Sequence, residues 1–243
     1  MWGLALEVQP LAQLGLGYVR VMNEDRSNRI AGWSGIVFSI LSLAVLPVVF
    51  SPAPPSVGAP GAEVAAWFEA HRVGFLIGNY LGILAFAPAL VQLAVLAAWI
   101  RRAEGKDGWL ASVVFGSGVF AFAVFACSLV VFQAMPFLVA PHLHLEAEAF
   151  GTFAAVWFSL DGLAALPFIV AVAWATHATK VLPRSFAIFS WVVALIAFVM
   201  SLGAFFDRPT TIAAGGLLTG VGFVTFFAWT FVLAIHQLRK PAT

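Results

Sequence analysis

The chain is 243 residues long, 62% hydrophobic and 9% charged, with a formal net charge of +1 and a mean hydropathy of +1.00. Soluble domains carry about 25% charged residues, so the composition excludes a soluble core; with no basic domain or patch beyond short turns, it also excludes nucleic-acid recognition as a main role. One cysteine, Cys127, rules out a disulfide within the chain and cysteine-ligated zinc or iron–sulfur sites, and its mid-span position predicts a small buried apolar residue.

Six apolar runs, at 31–50, 73–100, 109–138, 151–175, 186–206 and 211–235, exceed the length of a buried soluble helix and match a hydrocarbon core of about 30 Å. They predict an all-α fold: a polytopic membrane helix bundle with six transmembrane helices. Of the 12 basic residues, 10 fall in alternate gaps: Arg20, Arg26 and Arg29, then Arg101, Arg102 and Lys106, then Lys180 and Arg184, then Arg239 and Lys240. Arg72 and Arg208 alone lie on the other side. The positive-inside rule then puts both termini in the cytoplasm.

Residues 1–29 read as a cytoplasmic leader or surface helix, and 30–238 as a single six-helix domain. Pro10, Gly15 and Gly17 weaken helix before the first span. Two readings stay open there: a short surface helix over 11–22, with Tyr18 and Arg20 at the headgroups, or a true start at Met22. The first outer loop opens with a proline-rich stretch, Ser51 to Pro60. A short outer interfacial helix over 61–71 follows, with Trp67 and Phe68 at the interface and Glu63 and Glu69 facing water. Arg101 to Gly108 reads as a tight inner turn.

Gly74, Gly78 and Gly82 form one small-residue stripe, and Gly216 and Gly220 another. Such stripes permit close helix contact. They suit either a homo-dimer or partner-protein interface, or contact inside the bundle; the second is simpler, because six packed helices need close contacts in any case.

Asp161 is the one acidic residue deep in a span, about 15 Å below the start of span four at 1.5 Å per residue. Placing Asp there costs about 2.5–3.5 kcal/mol on insertion scales, so it should face the bundle interior or a water-filled cavity. No Lys or Arg lies within a span to neutralise it. Depth counting brings Ser39, Asn79, Tyr80, Ser128 and Thr219 to its level, and Pro88, Pro136 and Pro167 interrupt helices nearby. The expectation is a polar pocket in the outer half of the bundle, with Asp161, Asn79, Tyr80, Ser128 and Thr219 as ligand-binding or proton-coupling residues. The plainer alternative is an Asp that fixes helix packing through hydroxyl groups.

His142, His144, Glu146 and Glu148 make a second cluster before span four. On a helix they pair at i,i+4, a geometry in which two side chains can share a divalent ion such as zinc, and His71 could add a third nitrogen. A solvated lip explains the same residues. Haem in a helix bundle needs facing histidines, but His71, His144, His177 and His236 lie near span ends and none sits inside a span. Trp33, Trp67, Trp109, Trp174 and Trp229 read as an aromatic belt, and Trp157 and Trp191 as deeper packing residues. The cofactor, if any, is unknown from sequence.

The stretch Ala62 to Arg72, Ala-Glu-Val-Ala-Ala-Trp-Phe-Glu-Ala-His-Arg, and Val181-Leu-Pro183-Arg184 before span five, with Trp191 following, resemble features of a broad group of small, about six-span membrane proteins of actinobacteria described as domains of unknown function. The resemblance covers about residues 29–240 by pattern. It implies one six-helix domain in a bacterial plasma membrane and brings no reaction with it. Three functional readings follow: binding or transport of a small apolar or cationic ligand at Asp161; a non-catalytic accessory subunit of a membrane complex; or a metal-dependent membrane enzyme using the His and Glu cluster.

Overall fold

A helix that must hide its backbone in hydrocarbon has no alternative to internal hydrogen bonding, and the apolar runs duly form helices. The computed structural model describes residues 8–50, 55, 58–105, 108–138, 144–206 and 217–239; side chains at 8–24, 48–50, 138, 144–147 and 150 lie outside that description. The helices are α1 (Val8–Phe50), α2 (Gly61–Glu104), α3 (Leu110–Leu138), α4 (His144–Thr179), α5 (Arg184–Ser201) and α6 (Leu217–Arg239), with a 3-10 turn at Leu202–Phe205. Among the described residues there is no strand. All six helices contain segments long and apolar enough to cross a membrane, from Asp25–Pro47 through Leu217–Arg239. Their outward surface is apolar as well: Ile77, Leu84, Phe120 and Leu195 are each half or more exposed, a surface that suits lipid and not water. The molecule is a multi-pass membrane protein.

Each helix packs on its neighbours in sequence, α6 closes the ring against α1 and more lightly against α5, and α2 meets α4 across the interior. α4 and α6 meet through large side chains, Phe158 against Phe223 and Phe168 against Trp229, with few close backbone approaches. The basic residues Arg29 of α1, Arg101 and Arg102 at the end of α2, Lys180 just after α4, Arg184 at the start of α5 and Arg239 at the end of α6 share one end of the bundle. This is called the basic end here, and the opposite one the far end. Buried polar bonds fix the register near the basic end: Trp99 Nε1 donates to Asn28 Oδ1 at 2.8 Å, and Gln92 Nε2 to the Thr230 carbonyl at 3.0 Å. Gln237 Nε2 donates to the Gln92 carbonyl at 3.3 Å, and Ser39 and Thr230 share a hydrogen bond at 2.9 Å. Satisfying such groups inside hydrocarbon ties α1, α2 and α6 together.

The tight turn expected at 101–108 has a clear cause. Glu104 accepts from the backbone N–H of Leu110 and of Ala111, both at 2.8 Å, capping the start of α3. Arg101 donates to the Gly108 carbonyl at 2.8 Å and to Ser112 Oγ at 2.5 Å. A Cβ at Gly108 would collide with Glu104, so this turn requires glycine.

Three expectations are corrected. The outer interfacial helix is not a separate element: residues 61–71 are the first turns of α2, which runs 44 residues without a break. At 1.5 Å per residue α2 is about 66 Å long, roughly twice the hydrocarbon thickness, so it can cross the core and still project beyond it. Cys127 is exposed on the bundle exterior, not buried. Trp229 is fully buried and donates to Ser190 Oγ at 2.8 Å, so it belongs to the core and not to an aromatic belt; Trp33, Trp109 and Trp174 are exposed, as a belt requires. At the amino-terminal side, the backbone through Pro10, Gly15 and Gly17 is helical and enters the first span continuously.

The small-residue stripes divide. Gly82 faces Leu129 of α3, so it serves contact inside the bundle, whereas Gly220 is exposed with open space beside its Cα. Gly216 lies outside the described residues.

Candidate functional site

Asp161 lies in the middle of α4 and is 1% exposed. Its position on the helix turns it inward, and the next residue, Gly162, lets α5 come close: a Cβ there would stand 2.5 Å from the Ala197 carbonyl oxygen. Ser128 of α3 donates its hydroxyl to Asp161 Oδ1 at 2.7 Å. The same hydroxyl lies 3.0 Å from the Val124 carbonyl one turn back. Two predicted site residues are thus joined directly.

Asp161 borders a cavity of about 60 Å³ with Asn79 and Gly82 of α2, Ser42 of α1 and seven phenylalanines: Phe38, Phe86, Phe125, Phe132, Phe158, Phe223 and Phe227. Asn79 is 1% exposed, and its Nδ2 has no hydrogen-bond partner. No described lining residue carries positive charge. The walls are ring against ring, for example Phe158 with Phe132 and with Phe223, both at 4.6 Å between centroids. A void holds water once it offers about 10–15 Å³ to a water-sized probe and supplies polar partners, so this chamber can hold a few waters or one compact polar group.

Toward the far end lies a groove of about 620 Å³, lined by the end of α1, residues of 55–59, and the first turns of α2, α4 and α6. Its lining is mostly apolar, with Thr152, Thr219, Thr225 and Glu148 as polar points. Leu46, Phe132, Phe158 and Phe223 line both the groove and the chamber. The two spaces therefore have four apolar residues in common. The groove's size falls within the roughly 300–1,000 Å³ typical of small-molecule sites.

The other predicted residues separate. Tyr80 is 60% exposed on the bundle exterior. One residue turns a helix by about 100°, so Asn79 and Tyr80 at adjacent positions cannot both face the chamber, and the expectation for Tyr80 is corrected. Thr219 is buried but borders the groove, where its hydroxyl lies 3.4 Å from that of Ser159. Ser39 is engaged with Thr230 and the Gly35 carbonyl, away from Asp161. Pro88 and Pro167 sit within unbroken helices.

Of the expected metal cluster, His142 lies outside the described residues, and His144 and Glu146 belong to α4 with side chains outside the description. Glu148 is exposed and borders the groove. His71 Nδ1 lies 2.7 Å from the Trp67 carbonyl, with its ring stacked on the Trp67 indole. Among the described residues no group of three His, Cys, Asp or Glu side chains could hold a metal ion. His177 is exposed, and His236 meets the Phe186 ring edge-on.

Sequence reasoning missed Ser42, the phenylalanine chamber and the groove. Ser42 was findable: it stands three residues after Ser39, hence on the same face of α1. The phenylalanines were not, because rings at seven positions on five helices converge only through tertiary packing. Comparison of the chain with family models, with curated proteins and with solved structures finds no match in any of the three.

Proposed function

We propose that this protein binds a small apolar or cationic ligand at the Asp161 chamber and moves it, or a proton with it, across the membrane. The observation that carries this reading is the pairing of a deeply buried carboxyl group and an unpartnered Asn79 amide in one cavity, next to a groove large enough for a small molecule. Intramembrane acids are costly, so one that faces a cavity instead of a basic partner is a functional group by default. Ser128 orients the carboxyl, Asn79 and Ser42 supply further polar contacts, and Asp161 acts as counter-ion or proton carrier.

With the basic end in the cytoplasm, as the positive-inside rule requires, both termini are cytoplasmic and the groove opens to the outer leaflet of a bacterial plasma membrane. The resemblance to six-span actinobacterial membrane proteins fits that location.

The test compares purified wild type with Asp161→Asn, by thermal stability between about pH 5 and pH 8 and by native mass spectrometry. The wild type should retain a small molecule and show a pH response that the Asn variant lacks. Equal pH responses in two ligand-free proteins would assign Asp161 to helix packing alone.

A further inference from the structure

We propose that the ligand is an amphipathic organic cation, its ammonium head in the phenylalanine chamber beside Asp161 and its hydrocarbon body in the far-end groove. The proposal rests on the ligand-binding reading above and narrows it to one chemical class.

An ionised carboxylate removed from water is costly unless paired. Asp161 receives one side-chain hydrogen bond, from Ser128, and among the described residues no cationic side chain lines the space before it. An ammonium group entering the chamber supplies the missing charge. An anion would meet the carboxyl and the negative faces of aromatic rings, and is disfavoured by both.

Ring chemistry points the same way. Seven phenylalanines surround the chamber, and ring faces attract cations, most strongly where water is excluded. Phenylalanine offers no hydrogen-bonding group, so a neutral polar ligand would find too few partners to replace its water. Asn79 is the exception: its Nδ2 is unpartnered, and turning the amide over presents its carbonyl oxygen to an ammonium N–H.

Size and continuity complete the case. The chamber, at about 60 Å³, fits a compact head, while the groove, at about 620 Å³ and mostly apolar, fits a chain or ring system. Phe132, Phe158 and Phe223 border both, so a single ligand can reach from one into the other past these rings.

The experiment uses the full chain in lipid nanodiscs, with equilibrium dialysis of radiolabelled n-octylammonium and of n-octanol, and empty nanodiscs as background. Wild type is expected to bind octylammonium saturably, and Asp161→Asn at least about tenfold more weakly, a difference of about 1.4 kcal/mol; octanol should bind both alike. Phe158→Leu keeps an apolar wall but removes a ring face, and should weaken octylammonium more than octanol. If alcohol and ammonium bind alike and both variants affect them equally, the cation assignment is overturned while ligand binding stands. If neither probe exceeds the empty nanodiscs, the ligand-binding reading fails as well.

Discussion

Asp161 and Gly162 act as a pair of adjacent residues with opposite tasks. Asp161 faces the chamber, and Gly162 lets α4 approach α5 so closely that the Ala197 carbonyl occupies the place of a side chain. A backbone oxygen cannot step aside as a flexible side chain would. Gly162→Val should therefore push α4 from α5 and lower stability by about 1–3 kcal/mol, the usual range for overpacking. Thermal unfolding in detergent measures this, and an unchanged melting temperature would mean that the two helices are not held at this distance. Legibility differed sharply at this scale. Depth counting along helices found Asp161, Ser128 and Asn79, because distance from the membrane surface is encoded in sequence position. It also selected Tyr80, which has the right depth and the wrong face. Depth fixes one coordinate of a helical residue, and rotation about the axis must come from packing.

At the scale of elements, the connections decide where helices begin. The α2–α3 turn is held by Glu104, which accepts two otherwise unsatisfied N–H groups of α3. Removing such a cap costs about 1 kcal/mol. Glu104→Ala should lose roughly that amount in thermal unfolding, while Glu104→Gln should lose less because its amide oxygen still accepts one bond. Equal losses in the two variants would count against a capping role. The turn was legible from its glycines and charges, but the identity of the cap was not, since Glu104 lies at the end of one helix and serves the next. The helix before span two was read correctly as helix and wrongly as separate. Its tryptophan and glutamates mark an interface, yet nothing at 61–73 forces a break, so α2 simply continues.

For the whole molecule, hydropathy was sufficient to count six helices, because each must satisfy its own backbone in lipid. It was silent on the groove at the far end, and on the convergence of phenylalanines from α1, α2, α3, α4 and α6 at one point. Those features arise from the order in which helices close the ring. They also define the account's central claim: the Asp161 chamber communicates with the far-end groove and admits a ligand from that side. Ser42 is 7% exposed and lines the chamber, whereas Gly220 lines the groove. The most direct test places a single reporter cysteine at each position, in a Cys127→Ser background, within sealed vesicles of known orientation. A small cationic methanethiosulfonate added from the far-end side should modify both Gly220→Cys and Ser42→Cys, and n-octylammonium should protect Ser42→Cys. Modification of Gly220→Cys with Ser42→Cys left untouched would contradict the claim, reducing the chamber to a sealed void in the bundle core.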